Sequence, residues 1–194
     1  MYMIKYPNKK ESFKAPKIST KNRGMGFENV INETNEYYLN NNLAVIHKKP
    51  IPIQIVKVDY PSRSAAVIKE AYYKVPSTTD YNGLYQSRYI DFEAKETNNL
   101  TSFPLQNIHP HQIKHLEEID KQGGIAFILV YFKKLDQVYY LSISKLLGFV
   151  DRSQTGRKSI ALDEFKQFGH YIKEGFNPRI DYLKIVDKYI KGSK

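Results

Sequence analysis

The stretch Ile125-Ala-Phe-Ile-Leu-Val-Tyr-Phe132 is apolar at almost every position and restricts the chain to few architectures. A strand that is apolar on both faces needs a layer on each side, which places it at the centre of a sheet covered by helices. At this length it is far too short to span a bilayer. Gly123-Gly124 ends the element before it, and Gln137 to Ser144 reads as its hairpin partner.

Helical periodicity flanks this strand. Phe27, Val30, Ile31, Thr34 and Tyr38 recur on one face of a helix that starts after Gly24 and Gly26 and ends at Asn40-Asn41-Asn42. A second helix begins near Pro110, with Ile113, Leu116 and Ile119 on one stripe, and Asp163–Lys173 and Ile180–Ile190 read as amphipathic helices. Between them, Ile51–Val58 is β-like but carries two prolines, which favour an exposed or edge strand; Ala65–Tyr73 has no clear period. Asn82-Gly83 is read as the turn of a β-hairpin that Asp80 opens and the alternating stretch Tyr89–Glu96 continues. The expected fold is therefore α/β, a mixed β-sheet flanked by helices. It forms one domain over residues 24–194, with the mixed segment Leu43–Val75 expected to project from it.

Charge narrows the partners. Thirty Lys+Arg against twenty Asp+Glu leave a net charge of +10, a balance that attracts polyanions at long range. Six lysines and one arginine against Glu11 give Met1–Arg23 six of those charges, as a basic arm that either contacts DNA or is a solvated tail. There are no cysteines, which excludes disulfide scaffolds, thiolate metal clusters and Cys nucleophiles; any metal must be held by oxygen or imidazole. No phosphate-binding Gly-x-x-x-x-Gly-Lys-Ser/Thr loop is present, and the amino terminus has no apolar signal-like region, so the chain is placed in the cytoplasm.

The chemistry concentrates in Tyr89-Ile-Asp-Phe-Glu-Ala-Lys-Glu96. A strand period of two puts Asp91, Glu93 and Lys95 on one face and Ile90, Phe92 and Ala94 on the core face. An isolated Glu-x-Lys is usually a solvated pair. Here Asp80 precedes it at a turn, and the opposite face is apolar. Two carboxylates from neighbouring strands suit one or two Mg²⁺ ions, which prefer oxygen ligands and keep exchangeable waters. Lys95 is then placed to offset charge on the phosphate, and Glu28 and Gln112 are candidates to complete the site from the flanking helices.

Four stretches carry a resemblance: Asn22-Arg-Gly-Met-Gly-Phe-Glu28, Ser77-Thr-Thr-Asp-Tyr-Asn-Gly83, Ile90-Asp-Phe-Glu-Ala-Lys-Glu-Thr97 and Phe103-Pro-Leu-Gln-Asn-Ile-His-Pro-His-Gln112. In this order they resemble the RecU family of Holliday junction resolvases of Gram-positive bacteria, over nearly the whole chain. The resemblance implies a restriction-endonuclease-like (PD-(D/E)xK) fold with a protruding stalk over about residues 53–74. It also implies a homodimer and symmetric cleavage of four-way junction DNA that depends on Mg²⁺, for which Mn²⁺ substitutes. It assigns metal binding to Asp80 and Glu93, transition-state stabilisation to Lys95, and further site positions to Glu28 and Gln112. Arg63 in the stalk is assigned to DNA, and Arg23, Lys57 and Lys74 are expected to join it. Recombinase and branch-migration proteins are implied partners. The competing reading is a non-catalytic DNA-binding accessory of recombination; a restriction enzyme is a third.

Two signals are set aside. His111 and His115 have zinc-like i, i+4 spacing, but the start of a helix explains their placement beside His109. Tyr72-Tyr73 and Tyr139-Tyr140 are expected to divide between core and surface, one ring of each pair inward, rather than to stack on bases.

Overall fold

The computed structural model describes residues 26–74 and 78–192; the basic arm Met1–Arg23, Arg23 included, lies outside them. The chain runs through α1 (Phe27–Asn40), β1 (Val45–Lys48), β2 (Ile53–Asp59), β3 (Val67–Tyr73), β4 (Tyr81–Tyr85), β5 (Arg88–Thr97) and β6 (Ser102–Pro104). It continues through α2 (Pro110–Lys121), β7 (Ile125–Phe132), β8 (Gln137–Ser142), α3 (Ile143–Ser153), β9 (Ser159–Ala161), α4 (Leu162–Phe168), β10 (His170–Ile172) and α5 (Leu183–Gly192).

Six strands form a mixed sheet in the order β1-β4-β5-β7-β8-β10. The pair β5 and β7 is parallel and every other neighbouring pair is antiparallel. A parallel pair requires a crossover, and α2 provides it. The expected strand Ile125–Phe132 sits between β5 and β8, buried on both faces. On one face Phe92, Phe127 and Tyr140 pack with Ile31 and Tyr38 of α1 and Val186 of α5. On the other, Ile128 and Val130 pack with Leu116 of α2 and Leu146 of α3. Rings stack along the first face, from Tyr81 to Phe92 to Phe127 at centroid spacings of 4.8 Å. No helix among the described residues is long and apolar enough to cross a membrane.

The projecting segment is a separate two-stranded antiparallel ribbon, β2 with β3. Every described side chain of β3 is exposed, which is why Ala65–Tyr73 shows no period: no face of it is buried. Lys57 lies on β2, Lys74 just beyond β3, and Arg63 opens the short 3-10 turn Arg63–Ala65 between the strands. The expectation that each tyrosine pair divides between core and surface is corrected. Tyr72 and Tyr73 are both exposed on the uncovered ribbon, and Tyr139 and Tyr140 are both buried because β8 has a layer on each face.

Other expectations change for local reasons. The helix expected over Asp163–Lys173 stops at Phe168, because Gly169 carries the chain into edge strand β10. Ile143–Ser153, within and after the expected hairpin partner, is helix α3. The Asn82-Gly83 turn is also corrected: both residues lie inside β4, and the turn falls at Gln86 and Ser87, whose φ values of 47° and 61° are left-handed. Gly83 serves a close approach instead. A Cβ there would stand 2.1 Å from the Val45 carbonyl oxygen and 2.6 Å from the Ile46 Cα on β1.

Gly83→Ala therefore has to push β1 away from β4. The expected cost is roughly 1–3 kcal/mol, read as a lower urea midpoint at an unchanged slope. An unaltered midpoint would contradict this close packing.

Candidate functional site

Strand alternation and register set the site. Asp91, Glu93 and Lys95 stand opposite Ala126, Ile128 and Val130 of β7, so they point to the α2 and α3 side of the sheet. Because α2 covers that side, the charged face is not solvated: Asp91 and Glu93 are both 0% exposed. A buried carboxylate without partners is costly, so each of the two must be answered locally.

Glu93 meets Asp80. The Asp80 backbone N–H donates to Glu93 Oε2 at 3.0 Å, which brings the residue before β4 onto the middle of β5. Lys95, one strand period further, places its Nζ 2.8 Å from Glu93 Oε1. Oε1 has no other donor among the described residues. Burial pushes the Glu93 carboxyl up from 4.5 to about 8; a side-chain hydrogen bond with Asp80 and the Asp80 charge push the same way, and Lys95 opposes them. Two acids held together, one of them fully buried with a single ammonium on its Oε1, form a site that a cation relieves. The donor set is all oxygen, as a hard divalent ion prefers. No preformed group of three or more His, Asp or Glu ligands is found among the described residues, so such an ion would need further oxygen ligands beyond these two acids.

The other expected residues surround this centre less directly. Glu28 lies in the first turn of α1; its carbonyl accepts from the Tyr81 hydroxyl at 3.2 Å, next to Asp80, while its carboxylate is paired with Lys48 of β1. Gln112 is buried in the first turn of α2, where its side-chain oxygen accepts the His109 N–H at 3.0 Å. That turn does lie by the site. Burial, His109 and then Lys95 hold the neighbouring His111 below the usual imidazole range, and its Nε2 is buried without a partner.

Four functional candidates escape the sequence reading or enter it without a role. Asp91 accepts from Lys49 Nζ at 2.8 Å, Tyr89 Oη at 3.0 Å, His115 Nε2 at 3.1 Å and Thr79 Oγ1. Thr79 adjoins Asp80, and Asp91 shares the Glu93 face, so both were visible by spacing. His115 carried a zinc-like spacing that this contact explains. Lys49 had no signal, since β1 itself has no distinctive pattern.

The family model for RecU, recombination protein U, matches residues 22–188. Relatives named Holliday junction resolvase RecU include one from Bacillus pumilus (strain SAFR-032), 55% identical with 95% of each chain covered. Another, from Bacillus thuringiensis (strain Al Hakam), is 53% identical over 95% of this chain and 96% of its own. Among solved structures, Hjc of Archaeoglobus fulgidus, a Holliday junction resolvase, overlaps 71% of this chain and 92% of its own at 8% identity and a TM-score of 0.38. The fold and site define a mixed α/β protein with a buried acid pair and a lysine on one sheet face. The chain belongs to the recombination protein U (RecU) family.

The raised Glu93 pKa has a testable sign. Folded protein keeps a proton on Glu93 that the unfolded chain releases near 4.5. This contribution to stability is complete below pH 4.5 and is lost as pH rises through about 8. In EDTA, thermal melts between these limits should decline more steeply with pH for the unaltered protein than for Glu93→Gln. Parallel curves would show that Glu93 ionises normally.

Proposed function

We propose that this chain is a structure-selective endonuclease that resolves Holliday junctions by metal-dependent, symmetric phosphodiester hydrolysis in recombination and DNA repair. The observation that carries the reading is the convergence of Asp80, Glu93 and Lys95 on one covered sheet face of a RecU family chain. The names of its relatives support the substrate. The frame agrees: one helix, three strands joined edge to edge, a crossover helix and a parallel strand suit a restriction-endonuclease-like nuclease.

When bound, Mg²⁺, or Mn²⁺ in its place, supplies Lewis acidity at the scissile phosphate and an acidified water. Asp80 and Glu93 would hold the ion through carboxylate oxygens, for which Glu93 must be ionised. Lys95, fixed beside Glu93, offsets the negative charge that grows on the phosphate. Gln112 of α2 and Glu28 of α1 would be further oxygen donors to the ion, if freed from the contacts they make with His109 and Lys48.

DNA reaches the site along basic surfaces. Lys57, Arg63 and Lys74 on the ribbon and Arg23 before α1 contact phosphates, which gives affinity without sequence reading. A four-way junction has approximate twofold symmetry, and a homodimer supplies one active centre to each of two equivalent strands. Recombinase and branch-migration proteins in the cytoplasm are the partners this activity calls for.

A synthetic four-way junction tests the proposal. Symmetric nicks are expected in Mg²⁺, and binding without cleavage in EDTA. Asp80→Asn and Glu93→Gln should still bind but not cut, and Lys95→Ala should cut about 100-fold or more slowly. Binding with no cleavage in any divalent cation would instead identify a non-catalytic accessory protein. Sequence-specific fragments from linear duplex would identify a restriction enzyme.

A further inference from the structure

Asp91 and Glu93 are equally buried, two residues apart on the same face of β5, yet their surroundings are opposite. Glu93 Oε1 meets only the Lys95 ammonium, 2.8 Å away. Asp91 is saturated: Oδ1 accepts from Thr79, and Oδ2 accepts from Lys49, Tyr89 and His115. A carboxylate offers about four lone-pair sites, and four donors already occupy Asp91. Its place in the fold points elsewhere.

Asp80 precedes β4, where no strand ladder yet holds the backbone. Its peptide is instead fixed by three neighbours. The Asp80 N–H donates to Glu93, and its carbonyl accepts the Lys49 N–H at 2.7 Å. The residue before it, Thr79, is 3% exposed; its hydroxyl donates to Asp91 and accepts from Lys49 Nζ at 3.0 Å. Lys49 therefore grips this segment twice, through its backbone and through its ammonium. The ammonium closes a ring with Thr79 and Asp91. His115 extends the same network into α2, the helix that carries His111 and Gln112.

We infer that Thr79, Lys49 and Asp91 are positioning residues, a side-chain clamp that holds the Asp80 carboxylate against Glu93 at the spacing a shared divalent cation needs. The inference rests on the nuclease reading above for the use of that cation. Ordered partners behind a ligand commonly determine affinity as strongly as the ligand itself, because a carboxylate free to swing must be immobilised when the ion binds. A solely structural ion pair would lower stability when broken and leave metal affinity in the folded protein unchanged.

The test is a Mn²⁺ titration of the full chain without DNA, followed by electron paramagnetic resonance, beside thermal melts and junction cleavage over a range of Mg²⁺. Thr79→Val keeps the shape and removes the hydroxyl; Thr79→Ser keeps the hydroxyl. Thr79→Val should bind Mn²⁺ about tenfold or more weakly and need correspondingly more Mg²⁺ to cut. Its junction binding in EDTA should be unchanged, and Thr79→Ser should recover most of the affinity. Equal Mn²⁺ affinity in Thr79→Val and the unaltered chain would overturn the clamp, as would a loss that Thr79→Ser shares. If Thr79→Val does not fold, Lys49→Gln, at a side chain 17% exposed, takes its place with the same two outcomes. Failure of the unaltered protein to cut the junction would instead refute the nuclease reading, which the DNA-free titration does not use.

Discussion

Burying two carboxylates side by side on a central strand is the constraint that the surrounding structure answers. The interior penalises an ionised carboxylate heavily unless it is paired or hydrogen-bonded. Asp91 meets that demand with donors from beyond β1, the segment before β4, its own strand and α2. Glu93 meets it only in part, with a backbone N–H, a lysine and a retained proton. The imbalance separates a saturated carboxylate from one that is only partly answered. It also explains why elements distant in sequence converge here.

The sheet makes this convergence possible. A parallel pairing of β5 with β7 sends the chain over one face as α2, which seals the charged side of β5 and brings Gln112, His111 and His115 to it. On the opposite face, stacked Tyr81, Phe92 and Phe127 hold β4, β5 and β7 together. Close backbone contact at Gly83 brings β1 against β4, and so brings Lys49 within reach of Asp80. Apolar packing thus sets the position of polar groups that could not hold one another without it. The ribbon of β2 and β3 stands apart and buries almost none of its side chains.

Much of this was legible where one physical signal dominated. The apolar run Ile125–Phe132 announced the central strand, and the spacing from Phe27 to Tyr38 announced α1. The alternation in β5 separated Phe92 from Glu93 correctly. It could not reveal that the charged face was covered as well, because a covering helix leaves no mark on the strand beneath it. Asn82-Gly83 misled for a similar reason. Glycine there answers the nearness of β1, and nearness is not written in local sequence. Lys49 was invisible because its place depends on a short strand with no period of its own, whereas Asp80, Glu93 and Lys95 were singled out by spacing together with resemblance.

The central claim is that Asp80 and Glu93 share one divalent cation. A crystal of the protein soaked in Mn²⁺ and measured at a wavelength that excites manganese tests it most directly. The account predicts an anomalous peak in contact with both carboxylates at about 2.1 Å, with Asp91 still bound to its four protein donors. A peak on Asp91, or manganese touching one of the two acids while the other turns away, would contradict it.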